Sequence, residues 1–290
     1  MMSIVVPGLN LEQTYRAGQT LRWEKLRLVD AVYYVVISNR NFAAVSQKGD
    51  RLLFTCSSNQ VYDYWFEYFD MRQDYIELNA DMHRAHHSFS KLADDAFGMH
   101  VLKLEPWEVM LEALCMRKCG PFEAKRNMKL LCNIAGKKKE SGISSIRFKW
   151  NETPDSEDII KKKDKLLQYE QFKPVVKLAE QIDFLGELVV DSMVLDTNGK
   201  NMAFLRSLDV FTPNEARMVL SWGLGRRDVI ALSKTQAASF TRHYGSSPLE
   251  WMRSNKQVYS QCFNGRMDYF SQLVRFNYIT KKQKGLKEWE

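Results

Sequence analysis

His83, His86 and His87 fall within five residues, and imidazole is a common ligand for zinc and copper. A zinc site needs three or four donors, and no carboxylate–cysteine set completes one here; the same spacing suits the solvated face of a helix. Five cysteines, Cys56, Cys115, Cys119, Cys132 and Cys262, are odd in number and widely scattered. They read as reduced thiols of an intracellular protein, and no four-cysteine iron–sulfur spacing occurs. Lys137-Lys138-Lys139 and Lys161-Lys162-Lys163 offer charge to phosphates, or are simply solvated.

These groups need a scaffold, and the chain is long enough to build one. Its 290 residues, 45% hydrophobic, suffice for two domains or one large one. The formal charge of +7 and the pI near 9.0 favour a polyanionic partner, nucleic acid first. No 18-residue apolar run is present to span a membrane. The N-terminus lacks the charged start and apolar core of a secretion signal. No cofactor is implied.

Texture changes near residue 100. Before it, Ala31–Ile37, Phe42–Val45 and Leu52–Cys56 are short β-branched or aromatic runs. Asn39-Arg40-Asn41 and Lys48-Gly49-Asp50 between them are turn material, so an antiparallel meander is expected. Helices are expected over Val61–Tyr68 and, as two short pieces, Tyr75–Phe97. After residue 100 the strand signal is weak. Trp107, Met110, Leu111 and Leu114 share one helix face, and Pro121 follows a glycine break as the first turn of the next helix. Ala124, Met128 and Leu131 continue its apolar stripe. Ser141–Asp164 is polar and lysine-rich and reads as a mobile connection. Helices are then expected over Pro174–Leu195, Met202–Leu208, Pro213–Trp222, Thr235–Tyr244 and Gly265–Thr280. The fold class is α+β: a β-rich unit over 1–100, then an all-α unit over 101–290.

Particular residues point further. Ala17-Gly18-Gln19-Thr20-Leu21-Arg22-Trp23 resembles the G-Q-x-F-R-W motif of the 8-oxoguanine DNA glycosylases. Tyr68-Phe69-Asp70-Met71-Arg72-Gln73-Asp74-Tyr75 resembles their Y-F-D-L-x-x-D-Y motif. Phe89 to Pro106 is similar to their approach to the helical domain. Leu104-Glu105-Pro106-Trp107-Glu108, running to Gly136, is similar to that domain's start, whose junction, here Arg117-Lys118-Cys119-Gly120-Pro121, lies against DNA. The resemblance covers most of the chain and implies the helix-hairpin-helix glycosylase superfamily, with an all-α second domain of that type.

The resemblance also marks departures. The family's hairpin, roughly L-P-G-h-G-x-K-x-A, corresponds to Leu208–Arg217 within a degenerate hairpin near 202–222. Val210 and Thr212 stand where its glycines let backbone amides cradle a DNA phosphate. Asn214 stands at the Schiff-base lysine, and Ser233-Lys234 at the catalytic aspartate. Cleaving an N-glycosidic bond builds positive charge on the sugar, which a carboxylate stabilises or an amine nucleophile intercepts. Asp228, Asp209 and Lys234 are the nearby groups of those types; Asp228 and Lys234 are the candidate catalytic pair. Each also reads as an ordinary solvated residue.

Base recognition leaves more traces. The family flips its target nucleotide into a pocket. Gly18 matches the glycine whose backbone faces that base, Gln272 the base-contacting glutamine and Phe276 the stacking phenylalanine. Lys118 falls where the family fills the vacated stack, and Glu123 where an arginine reads the orphaned base. Glutamate cannot imitate arginine toward an unpaired cytosine, which argues against 8-oxoguanine opposite cytosine as substrate. The implied partner is double-stranded DNA bearing a modified or damaged base, bound by a monomer away from membranes. The implied activity is excision of an unusual base, with a modified cytosine of phage DNA, removed in defence, as one candidate. The alternative is an inactive relative that binds DNA or a protein.

Overall fold

The turns expected at 39–41 and 48–50 close two tight hairpins. Ser38 pairs with Asn41 and Lys48 with Arg51. The left-handed backbone these reversals need falls on Asn39 (φ 52°) and Gly49 (φ 58°), residue types that tolerate it. The computed structural model describes residues 2–85, 87–186, 188–254 and 265–287, without the side chains at 85, 87–89, 252 and 282–287. It opens with β1 (Met2–Val5), α1 (Leu11–Arg16), β2 (Trp23–Arg27), β3 (Val32–Ser38), β4 (Asn41–Lys48) and β5 (Arg51–Phe54). The strands form one antiparallel sheet in the order β1-β5-β4-β3-β2. In β3, Tyr34 and Val36 enter the main core while Tyr33, Val35 and Ile37 enter a second layer. Burial on both faces explains the continuous apolar run.

Helical segments follow: α2 (residues 58–68, with a π turn at Val61–Trp65), α3 (Tyr75–Ala85), α4 (His87–Asp95), α5 (Pro106–Cys115) and α6 (Pro121–Ala135). Pro106 and Pro121 each sit in a first turn, where no amide hydrogen is needed. The next segment corrects the sequence expectation. Residues 141–164 are not a mobile connection. They contribute to a hairpin, β6 (Lys138–Ile143) with β7 (Ile146–Asn151), and to the short helices α7 (Ser156–Lys161) and α8 (Lys163–Leu166). Phe148 and Trp150 alternate along β7 and pack 5.9 and 5.5 Å from the Phe42 ring on the outer face of the sheet. The lysines that made the segment look like a loop lie on its wet side.

The rest is helical: α9 (Lys173–Leu185), α10 (Leu188–Ser192), α11 (Asn198–Ser207), α12 (Pro213–Met218, continuing as a π turn at Val219–Gly223), α13 (Lys234–Tyr244), α14 (Pro248–Ser254) and α15 (Met267–Lys287). The helix expected over Pro174–Leu195 is broken at Gly186, whose φ of 89° ends α9. Among the described residues no strand falls within 175–245, and no helix is long and apolar enough to cross a membrane. One core joins the sheet to the helices, from Trp23 and Val36 through Leu111 and Leu131 to Val219. A second joins Leu78 and Leu92 to Phe240, Phe270 and Leu273, so α15 returns to the N-terminal third.

The motif residues are the locks between these layers. Gln19 donates to the His100 carbonyl at 2.6 Å and accepts from the Leu102 amide at 2.9 Å. Trp23 Nε1 donates to the Tyr68 hydroxyl at 2.8 Å. Asp70 is buried, with φ of 49°, and accepts from Tyr75 and from Arg266 at the start of α15. Charged groups in such places are retained only when paired, and these are.

Candidate functional site

The glycine break between α5 and α6 is pinned to the turn before α12. Arg117 Nε and Nη2 donate to Glu215 at 2.9 and 2.6 Å, and Nη2 also donates to the Val210 carbonyl. Glu215 in turn accepts from the Thr212 amide at 2.7 Å, while Thr212 Oγ1 accepts from the Glu215 amide at 3.3 Å. This capping box starts α12 in the ordinary way. It also means that the Thr212 amide is already satisfied by a carboxylate. Val210 and Phe211 are buried, and the left-handed residue of the turn is Asp209, with φ of 47°. Lys118, at φ 57°, is exposed on the partner junction.

Behind this edge, buried polar groups of the segment after α1, of α5, of the π turn after α12 and of α15 meet around Gly18. Gly18 has φ of 59°, and its carbonyl accepts from Arg275 Nη2 at 2.6 Å. Arg275 Nε donates to the Ala17 carbonyl at 3.3 Å, and the guanidinium lies 4.7 Å from the centre of the Trp222 ring. Burial lowers the Arg275 pKa to about 10, opposed by the charge of Glu112.

Glu112 is fully buried on α5. Its Oε1 accepts from Thr20 Oγ1 at 2.6 Å and from the Leu21 amide at 2.7 Å. Burial, and then the charge of Glu108 one turn earlier, push its pKa up to about 8. It is therefore mostly a neutral acid near pH 7, and its second oxygen is buried without a hydrogen-bond partner. Gln272 Oε1, Trp222 Nε1, Ser221 Oγ and Asn214 Oδ1 are buried and unpartnered in the same way. Buried polar atoms are ordinarily satisfied by protein or water.

Gln272, Arg275 and Phe276 share one face of α15. Phe276 is buried in the second core, with the Arg16 guanidinium 5.8 Å from its ring. A side chain added at Gly18 would find ordinary space, 3.5 Å from Ile279 Cδ1, so the backbone conformation rather than crowding calls for glycine. Asp228 is exposed, and its carboxylate accepts from Asn198 Nδ2 at 3.0 and 2.9 Å. Lys234 is exposed in the first turn of α13, just after Ser233, whose hydroxyl caps that helix at the Gln236 amide. Asp209 is held by Lys177 at 2.9 Å.

Other groups singled out by type have local partners. His83 Nε2 sits 2.8 Å from Asp94, His86 lies outside the described residues, and the His87 side chain does too. Cys56, Cys115, Cys119 and Cys132 are free thiols, and Cys262 lies outside the described residues. In the lysine runs, Lys137 faces Asp158, Lys139 faces Glu152 and Lys161 faces Glu157, at 3.3, 3.2 and 2.6 Å.

Sequence reasoning missed Arg275, Glu112, Trp222, Arg117 and Glu215. One signal was available. Glu108 and Glu112 interrupt an otherwise apolar face of α5 at i and i+4, where buried carboxylates must have a job. Glu108 has one: it accepts from Ser38, Asn39 and Thr153, with Arg22 3.5 Å away.

Comparison with known proteins places this geometry. Residues 3–110 match the family model of the 8-oxoguanine DNA glycosylase N-terminal domain. No curated protein sequence matches the chain. Among solved structures, it is similar to MBOgg1 in complex with a low-affinity DNA ligand, at 18% identity and a TM-score of 0.81, over 97% of this chain and 96% of that one. It is similar to the Clostridium acetobutylicum 8-oxoguanine glycosylase/lyase in complex with double-stranded DNA containing cytosine opposite 8-oxoguanine, at 15% identity and a TM-score of 0.77, over 98% and 99% of the two chains. The 3-methyladenine DNA glycosylase of Archaeoglobus fulgidus follows at 16% and 0.69, over 97% and 99%. At these identities the likeness is one of fold, and it extends over nearly the whole chain.

Proposed function

We propose that this chain is a DNA glycosylase-like protein that takes an unusual base out of double-stranded DNA and cleaves its N-glycosidic bond. The observation that carries the proposal is the group of buried polar side chains beside Gly18, where Arg275 donates to the Gly18 carbonyl and Glu112 lies fully buried. Glu112 Oε2, Gln272 Oε1 and Trp222 Nε1 have no hydrogen-bond partner within the protein, so each has bonding capacity left for water or a ligand.

The substrate is proposed to differ from 8-oxoguanine opposite cytosine. Glu123 occupies the orphan-base position, and the Gly18 carbonyl is taken by Arg275. A modified cytosine of phage DNA, removed in defence, is the candidate base. Asp228 is the candidate carboxylate for the developing sugar charge and Lys234 the candidate amine; both are exposed, Asp228 before α13 and Lys234 at its first position. Duplex DNA would reach them across the junction carrying Lys118 and the turn at Val210, Thr212 and Asn214.

A second reading has its own support. Asn214 and Ser233 stand at the family's lysine and aspartate, and the Thr212 amide is capped by Glu215 rather than open to a phosphate. Those features favour an inactive DNA-binding or protein-binding relative. The experiment is incubation with duplexes carrying a panel of modified bases, then heat or alkali. Strand breaks at one base support the enzyme; intact strands throughout support the inactive relative.

A further inference from the structure

Arg275 uses two of its nitrogens on backbone carbonyls, Nε on Ala17 and Nη2 on Gly18, and rests its plane against Trp222. This fixes the fork rigidly, with Nη1 the one nitrogen not engaged by these contacts. The guanidinium thereby changes what the pocket presents. Without it, the Gly18 carbonyl would be an open acceptor for a base bearing an N–H or amino group. With it, the same place presents a cation. Glu112, whose protonated form burial favours, keeps one buried oxygen without a partner in the protein.

We propose that Arg275 selects the base: the pocket takes a base whose edge carries a carboxylate or another strong acceptor, and turns away one that must donate to the Gly18 carbonyl. This rests on the reading above that a base enters beside Gly18. The chemistry is direct. The free guanidinium nitrogen, Nη1, can give an anionic acceptor such as a carboxylate oxygen one charge-assisted hydrogen bond. A base that relies on a donor at this point, such as 8-oxoguanine with its N7 hydrogen, would have to displace Arg275 from both carbonyls and from Trp222. The energetic asymmetry favours discrimination, since a site built around buried polar groups penalises a ligand that leaves them unpaired.

The test is equilibrium binding, so that it does not depend on turnover. Duplexes carry 5-carboxylcytosine, 5-methylcytosine or 8-oxoguanine at one position, with a 2′-fluorine on that sugar to preserve the bond. The unmutated chain is expected to bind the 5-carboxylcytosine duplex roughly ten- to a hundredfold more tightly than the 5-methylcytosine duplex, the range of one charge-assisted hydrogen bond. Arg275→Met should erase that ratio. It should also narrow the gap between 5-carboxylcytosine and 8-oxoguanine. Arg275→Lys, which keeps the charge but not the fork, should fall between.

Equal binding of the carboxylated and methylated duplexes by the unmutated chain overturns the proposal, as does a preference that Arg275→Met leaves intact. Should Arg275→Met fail to fold, the unmutated ratio and the Lys variant still decide. Failure to bind any duplex at low salt is a different result: it overturns the glycosylase-like reading itself, and the selection proposal with it.

Discussion

Arg117 and Glu215, 98 residues apart in sequence, form a two-pronged ion pair that ties the α5–α6 junction to the turn preceding α12. The two edges expected to face DNA are therefore one mechanical unit. The pair also has a stability consequence. Both side chains are largely shielded, and Glu215 additionally holds the Thr212 amide. Arg117→Ala should cost about 2 kcal/mol, because it leaves a partly buried carboxylate short of its cation. Urea denaturation should show a lower midpoint at unchanged slope. An unchanged midpoint would mean that the pair is merely a surface contact.

Glu112 makes stability depend on pH with a definite sign. Its folded pKa, about 8, lies above the ordinary carboxyl value, so the folded state holds its proton more tightly than the unfolded chain. The associated stability is complete below the unfolded pKa and is lost as pH rises toward and through 8. Glu112→Gln removes the titration. The variant should gain on the unmutated protein as pH is raised from 5 to 8, measured by denaturant unfolding across that range. A constant difference would show that Glu112 is ionised in the folded state throughout.

Lys118 should contribute to DNA binding through charge alone. Each phosphate contact adds roughly one unit to the slope of log affinity against log salt. Affinity for unmodified duplex should fall steeply from low to physiological salt, and Lys118→Gln should lower the slope by about one. Fluorescence anisotropy at several salt concentrations measures both. An unchanged slope would remove Lys118 from the interface.

The sheet and the helices were legible because their signals are local. Asn39 and Gly49 mark reversals that need left-handed backbone, and Met110, Leu111 and Leu114 repeat at helical spacing. The β6–β7 hairpin was missed for a physical reason. Its two aromatic anchors, Phe148 and Trp150, are flanked by lysines, and its burial comes from Phe42, about a hundred residues earlier. No local pattern reports a contact of that range. The site was legible to the same degree. Gly18 and Gln272 stood out by resemblance. Arg275 could not, since its role depends on the Ala17 and Gly18 carbonyls and the Trp222 ring meeting in space.

Single-turnover base release decides whether the chain acts as a glycosylase. Protein in excess is mixed with duplexes from the modified-base panel, and free base is quantified against time. The unmutated chain should release one of the bases. Asp228→Asn should slow release by a factor on the order of a hundred or more, because a carboxylate facing oxocarbenium charge is worth several kcal/mol. Lys234→Ala should abolish any borohydride-trapped adduct if the amine attacks. Release unaffected by either substitution would assign the chemistry to other residues. No base released from any duplex, by a protein that binds those duplexes, would contradict the glycosylase assignment and leave a DNA-binding relative in its place.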